Sequence, residues 1–77
     1  MIRKQRIKLK ITQKQLSELI GVSQPYISKI ENDKFVNITI IEVIKLSKAL
    51  RLKELDVAKY FLDKYNNHSI EFREDVS

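Results

Sequence analysis

Cysteine is absent from the chain, and histidine occurs once, at His68. Disulfide frameworks, thiolate zinc sites and cysteine nucleophiles are thereby excluded, and a single imidazole cannot form a histidine-cluster metal site. Glycine and proline are almost missing too: Gly21 and Pro25 are the single examples of each, and they lie close together. An all-β chain needs many turn residues, so this scarcity points to helices. No apolar run exceeds four residues, where a membrane-spanning helix needs about 20. The first ten residues carry charge with no apolar stretch behind them, a pattern that does not fit a signal peptide. These absences lead us to expect a cytoplasmic protein with no membrane segment. A chain of 77 residues has the size of one domain. A domain this small buries only roughly 60–65% of the surface its unfolded chain exposes, which leaves little room for a deep, water-excluding active site.

What the chain has in abundance is positive charge. Fifteen Lys and Arg stand against ten Asp and Glu, for a net charge of +5 and a pI near 9.6. On a small domain this balance points to a polyanionic partner. The excess is uneven. Residues 1–36 carry +5, residues 37–65 carry +2 and residues 66–77 carry −2. The basic half is expected to face the polyanion and the acidic tail to face away from it. A solvated basic surface without a partner is the plain alternative.

Helical periodicity runs through the first 65 residues, with no internal repeat and no linker. The pattern predicts a first helix over about Ile2 to Lys8, with Ile2, Arg6, Ile7 and Leu9 on its inner side. Thr12 reads as an N-cap whose hydroxyl accepts a free amide, and Gln15 completes a capping box. The second helix follows from Gln13 to Ile20, with Leu16, Leu19 and Ile20 inward. Gly21 ends it in the left-handed conformation that costs glycine nothing. Ser23 caps a third helix, with Pro25 in its first turn and Ile27 and Ile30 inward. Asn32-Asp33-Lys34 closes it as a loop. Thr39 caps a fourth helix, Ile40 to Leu50, with Ile40, Val43, Ile44, Leu46 and Leu50 forming an apolar face. A fifth helix is expected from about Lys53 to Tyr65, with Leu55, Val57, Ala58, Phe61 and Leu62 as its apolar positions. Asn66 to Ser69 reads as a turn, and the tail begins with strand-like alternation at Ile70 and Phe72.

Two short helices joined across Gly21-Val22 have the spacing of a helix-turn-helix. In that motif the second helix enters the major groove, and its N-terminal residues reach base edges. With Ile27 and Ile30 inward, Pro25, Ser28, Lys29 and Asn32 point outward and Gln24 sits at the leading edge. Gln can bond adenine bidentately and Lys can donate to guanine. An ordinary solvated helix face is the alternative for this segment.

The run Thr12-Gln13, Leu16, Ser17, Gly21-Val22-Ser23, Ile27-Ser28 and Ile30-Glu31, followed by a helix ending in Lys48-Ala49-Leu50, makes the chain recognisable. Arg6 to Leu50 resembles the phage repressor and Cro group of helix-turn-helix regulators, the XRE family. That stretch is 45 of the 77 residues, and beyond residue 62 the resemblance gives no guidance. It implies an all-α, compact five-helix, lambda-repressor-like DNA-binding domain. It also implies roles for particular positions. Gln13 resembles the residue that clamps a DNA phosphate and braces the recognition helix. Ser23 and Tyr26 match phosphate-contacting positions. Gln24, Pro25, Ser28 and Lys29 match base-reading positions. Asn32, Lys34 and Asn37 match loop positions that approach the DNA backbone. Ser17 stands where a small residue lets two helices cross closely, and Arg6 and Glu31 match an ion pair. Lys10, Ile38 and Arg51 depart from the frequent glycine, proline and glycine of the family.

The remaining candidates are weaker. His68 reads as a solvated loop residue rather than a ligand or a pH switch. Glu54 and Asp56 fall on different faces of their helix, so with Asp63 they read as solvated. Tyr60, Phe61, Tyr65 and Phe72 fit core filling or a dimer surface better than a ligand-binding cluster. The expectation is therefore a helix-turn-helix DNA-binding domain over residues 1–65 with an acidic tail over 66–77, a dimerising strand or disordered. The function expected is sequence-specific double-stranded DNA binding by a transcriptional regulator, a repressor acting as a homodimer on a palindromic operator. No catalytic constellation, metal or cofactor is expected. The competing readings are an antitoxin whose tail binds a partner toxin, and a protein-interaction adaptor that binds no DNA.

Overall fold

The computed structural model describes residues 1–34 and 36–68. It contains α1 (Ile2–Lys8), α2 (Gln13–Ile20), α3 (Gln24–Glu31), α4 (Ile40–Leu50) and α5 (Glu54–His68), and among the described residues there is no strand. The architecture is the all-α, lambda-repressor-like arrangement.

Each of α2, α3 and α4 begins where a side chain can take up a free first-turn amide. Thr12 Oγ1 accepts from the Gln15 amide at 3.0 Å, and Gln15 Oε1 accepts from the Thr12 amide at 2.9 Å. Ser23 Oγ accepts from the Tyr26 amide at 3.2 Å, with Pro25 in the first turn. Thr39 and Glu42 form a second capping box, both bonds 3.1 Å long. Such caps satisfy donors that a helix start otherwise leaves open.

The first four helices share one way of ending. A residue in the left-handed region follows each: Lys10 (φ 59°), Gly21 (φ 73°), Asp33 (φ 59°) and Arg51 (φ 57°). The next amide then reaches back five residues to a helix carbonyl. Ile11 bonds Arg6 at 3.1 Å, Val22 bonds Ser17 at 3.0 Å, and Lys34 and Leu52 bond Lys29 and Ser47 at 2.9 Å each. This is the Schellman closure, and only one of its four left-handed positions here is glycine.

All five helices contribute to the core. Ile2, Leu16, Ile20, Ile27, Ile30, Val43, Leu46, Leu50, Val57 and Phe61 are buried, joined by Val36 from the α3–α4 loop. Helix α2 packs on α3 and α4, α5 on α4, and α1 bridges α3 and α4. Ser17 and Ser47 are buried as well, and each hydroxyl donates to a carbonyl of its own helix, Lys14 and Ile44. Gln5 of α1 donates to the Leu50 carbonyl at 2.8 Å and ties the amino end of the chain to the end of α4.

Several apolar positions expected inside are outside. Ile7, Leu19, Ile40, Leu55 and Leu62 are all exposed. The reason is angular, at about 100° per residue. In α2 the buried stripe is Leu16, Ser17 and Ile20, and a serine takes the side that Leu19 would need. In α5 the buried positions Val57, Phe61 and Lys64 lie on one side, and Leu55 and Leu62 fall on the opposite one.

The turn expected from Asn66 is also corrected. Helix α5 runs on through Asn66 and Asn67 to His68, past the boundary drawn at residue 65. No glycine or proline stands there to stop it. Asn and His cost only a few tenths of a kcal/mol each relative to better helix formers, less than it takes to end a helix already nucleated. The strand-like alternation at Ile70 and Phe72, and the acidic tail that carries it, lie outside the described residues.

Candidate nucleic-acid interface

Helix α3 meets the rest of the domain through Ile27 and Ile30, both wholly buried. The opposite side is polar. Gln24, Pro25 and Lys29 are exposed, Ser28 is half-buried, and Gln24, Pro25 and Ser28 line one open depression together with Gln13 of α2. Four candidates from two helices thus share one surface. Lys34 and Asn37 are exposed in the loop that follows α3, and Ser23 is exposed at its start.

Glu31 in the last turn of α3 organises the underside of this surface. Its side chain is wholly buried, and Arg6 grips it at both oxygens, Nε to Oε2 at 2.6 Å and Nη2 to Oε1 at 3.0 Å. Arg6 also donates to the Ile11 carbonyl at 2.8 Å. Gln13 Nε2 donates to Glu31 Oε1 at 3.0 Å. One N–H of the Gln13 amide remains, and an amide nitrogen with one proton engaged can still donate the other to a phosphate. Arg3, one turn before Arg6, adds a bond to Glu31 at 3.4 Å and a second to Asn32 Oδ1 at 2.8 Å. Burial alone pushes the Glu31 carboxyl up, but hydrogen bonds from Arg6, Gln13 and Arg3 and the Arg6 charge outweigh it and hold the group below the usual carboxylate range. The carboxylate therefore stays ionised and turned inward, where it does not repel a phosphate backbone.

Tyr26 points elsewhere. Its hydroxyl donates to Glu42 Oε1 at 2.8 Å, and the Asn37 carbonyl lies 3.2 Å from the same oxygen. Burial and the bonded Glu42 carboxylate hold this phenol far above its ordinary range. A phosphate oxygen offers only acceptors, so a phosphate would compete with Glu42 for the one proton. In this arrangement Tyr26 holds the loop carrying Asn37 against the start of α4.

Helix α5 braces the other end of α3, a role the amino-acid pattern does not reveal. Tyr60 donates to Asp33 Oδ1 at 3.2 Å, and burial, then the Asp33 charge, raises its phenol. Lys64 is buried, with Nζ 3.5 Å from the Ile30 carbonyl and 5.8 and 5.7 Å from the Tyr60 and Phe61 ring centres. Burial lowers this ammonium below the ordinary lysine range against the pull of Asp33. A cation beside the last carbonyls of a helix suits its dipole. Tyr65 donates to the Val36 carbonyl and accepts from the Ile38 amide at 2.9 Å. Phe61 is core. The three aromatic side chains of α5 are thus engaged within the domain.

Arg3 and Lys64 are the residues that sequence reasoning missed. Arg3 could have been found, since it lies three before Arg6 and so on the same helix face. Nothing in the sequence pairs Lys64 with α3, because that contact depends on how α5 lies across the domain. Among the described residues no three His, Cys, Asp or Glu side chains gather as a metal site, and no helix is long and apolar enough to cross a membrane.

Neither the curated proteins nor the solved structures contain a match to this chain. A helix-turn-helix family model does match, over residues 2–57, which takes in α1 to α4 and the start of α5. The outward polar face of α3, its brace through Glu31 and this match agree, and the chain belongs to the XRE-type helix-turn-helix family of DNA-binding transcription regulators.

Proposed function

We propose that the protein is a repressor that occupies a palindromic operator as a homodimer. The reading rests on one observation: Gln24, Pro25 and Ser28 share a depression with Gln13 on the side of α3 opposite Ile27 and Ile30. In this reading Gln24, Pro25, Ser28 and Lys29 meet base edges in the major groove. Gln13, Ser23, Asn32, Lys34 and Asn37 follow the phosphates on either side, and Tyr26 serves that contact by fixing the Asn37 loop. Repression needs no further chemistry, only occupancy of a site that transcription requires.

A single eight-residue helix covers few base pairs, and dimers of such domains read half-sites about 34 Å apart. For the dimer surface, α5 offers Leu55 and Leu62, which are 82% and 60% exposed and two helical turns apart. Tyr60, Phe61 and Tyr65 make their contacts within the domain, which favours the two leucines as the dimer surface.

Selection of bound sequences from a random duplex library tests the proposal. The expected result is enrichment of two inverted half-sites spaced by one helical turn. Enrichment of a lone half-site overturns the dimer, and no enrichment overturns the operator reading.

A further inference from the structure

Serine can read either kind of base edge, because its hydroxyl both donates and accepts. In this structure a chain of two side chains removes that ambiguity. Arg3 Nη2 donates to Asn32 Oδ1 at 2.8 Å. A guanidinium has no acceptor, so the Asn32 amide must turn its oxygen to Arg3. Its nitrogen then faces the other way, and Asn32 Nδ2 donates to Ser28 Oγ at 3.2 Å, one helical turn back on α3. Ser28 Oγ is thus already an acceptor within the protein. Its proton is engaged with no group among the described residues, and Ser28 lines the depression shared with Gln13, Gln24 and Pro25. The second bond of Arg3, to Glu31 at 3.4 Å, anchors the head of the chain on a carboxylate that Arg6 and Gln13 already fix.

We infer that Arg3 and Asn32 are positioning residues for specificity: they set Ser28 to donate, so that the base it meets presents an acceptor in the major groove. Guanine, with N7 and O6, thymine, with O4, and adenine, through N7, fit this requirement; cytosine, whose polar edge there is the N4 amino donor, does not. The inference rests on the operator reading above and names a direction of preference at one base position. It also gives Asn32 a second task beside the approach to the DNA backbone.

Three variants of the full chain test it, each passed through the same duplex selection after its thermal unfolding has been checked. Ser28→Ala locates the position, where the preference should flatten. Asn32→Asp keeps the bond to Arg3 but has no proton for Ser28, so the serine hydroxyl must donate to Asp and accept from DNA. Its preference should swing toward cytosine or the amino edge of adenine at that position alone. Arg3→Met frees the Asn32 amide to turn, and the preference should fall toward uniform. Wild type should disfavour cytosine there, relative to the bases that present an acceptor, by about 2- to 10-fold, the range of one neutral hydrogen bond. A general loss of affinity from the new Asp charge would appear at every position and in the salt dependence, so it does not mimic the swing. Unchanged preference in both Asn32→Asp and Arg3→Met overturns the relay, and Arg3→Met alone decides if Asn32→Asp does not fold. A preference for cytosine in the wild type overturns the donor assignment while leaving the operator reading intact. Absence of any selected sequence overturns both.

Discussion

A buried carboxylate costs stability unless enough donors face it, and Glu31 has them in Arg3, Arg6 and Gln13. Removing one partner of such a pair strands the other, at about 3–5 kcal/mol. Glu31→Gln is therefore expected to lower the unfolding free energy by about that amount in a denaturant titration, and Arg3→Ala by much less, since Arg3 is half-exposed. The pH dependence has a definite sign. The folded carboxyl lies below its unfolded value, so its contribution is present above the ordinary glutamate range and is lost as pH falls through the folded value. Glu31→Gln should flatten the acid limb of the stability profile, and an unchanged limb would place the acid sensitivity elsewhere. On the outer face, Gln24→Ala is expected to relax base preference at one half-site position without changing the salt slope. Lys34→Ala should weaken all duplexes and lower that slope by about one. Binding of operator and scrambled duplex across a salt series distinguishes the two.

Among the elements, helix starts were legible and helix facings only in part: Ile27, Ile30, Val43, Leu46 and Leu50 lie inside as expected, while others do not. Thr12 with Gln15, Ser23 with Pro25, and Thr39 mark starts because a cap is a local bond between near neighbours, present in the sequence itself. Facing is not local. Leu19, Leu55 and Leu62 are as apolar as their buried neighbours, and only the packing of other helices decides which side is covered. In the interface, the outward set Gln24, Ser28 and Lys29 was readable from helical angle once Ile27 and Ile30 were inside. The Arg6–Glu31 pairing came from family resemblance. The tie from Lys64 to α3 spans 34 residues and has no sequence signature. Helix ends lead to a further expectation. Lys10 and Arg51 hold left-handed conformations that glycine adopts without strain. Relief of that strain outweighs glycine's added freedom in the unfolded chain and the lost cation at a helix end, by about 0.5–1 kcal/mol. Lys10→Gly and Arg51→Gly should each raise the denaturation midpoint, and a lowered midpoint would show that their side chains contribute more than their backbone strain costs.

For the whole molecule, the proposed dimer places its apolar contacts on α5, on the side of that helix away from the core. Leu62→Lys is expected to leave folding within about 0.5 kcal/mol of wild type, as for most exposed positions. It should convert the dimer to monomer in sedimentation and weaken operator binding with it. A variant that stays dimeric moves the interface away from Leu62. The gathering of α1, α2 and α3 on Glu31 has a consequence in time as well as in energy. An eight-residue helix is too short to persist alone in water, yet α3 is fastened at its last turn to two other helices. Its interior amides should exchange with deuterium in step with those of α1 and α2, not by separate fraying, and Glu31→Gln should make α3 exchange first. A reading surface that is already assembled requires no ordering step on arrival, so encounter with DNA, steered by the chain's positive charge, should set the association rate.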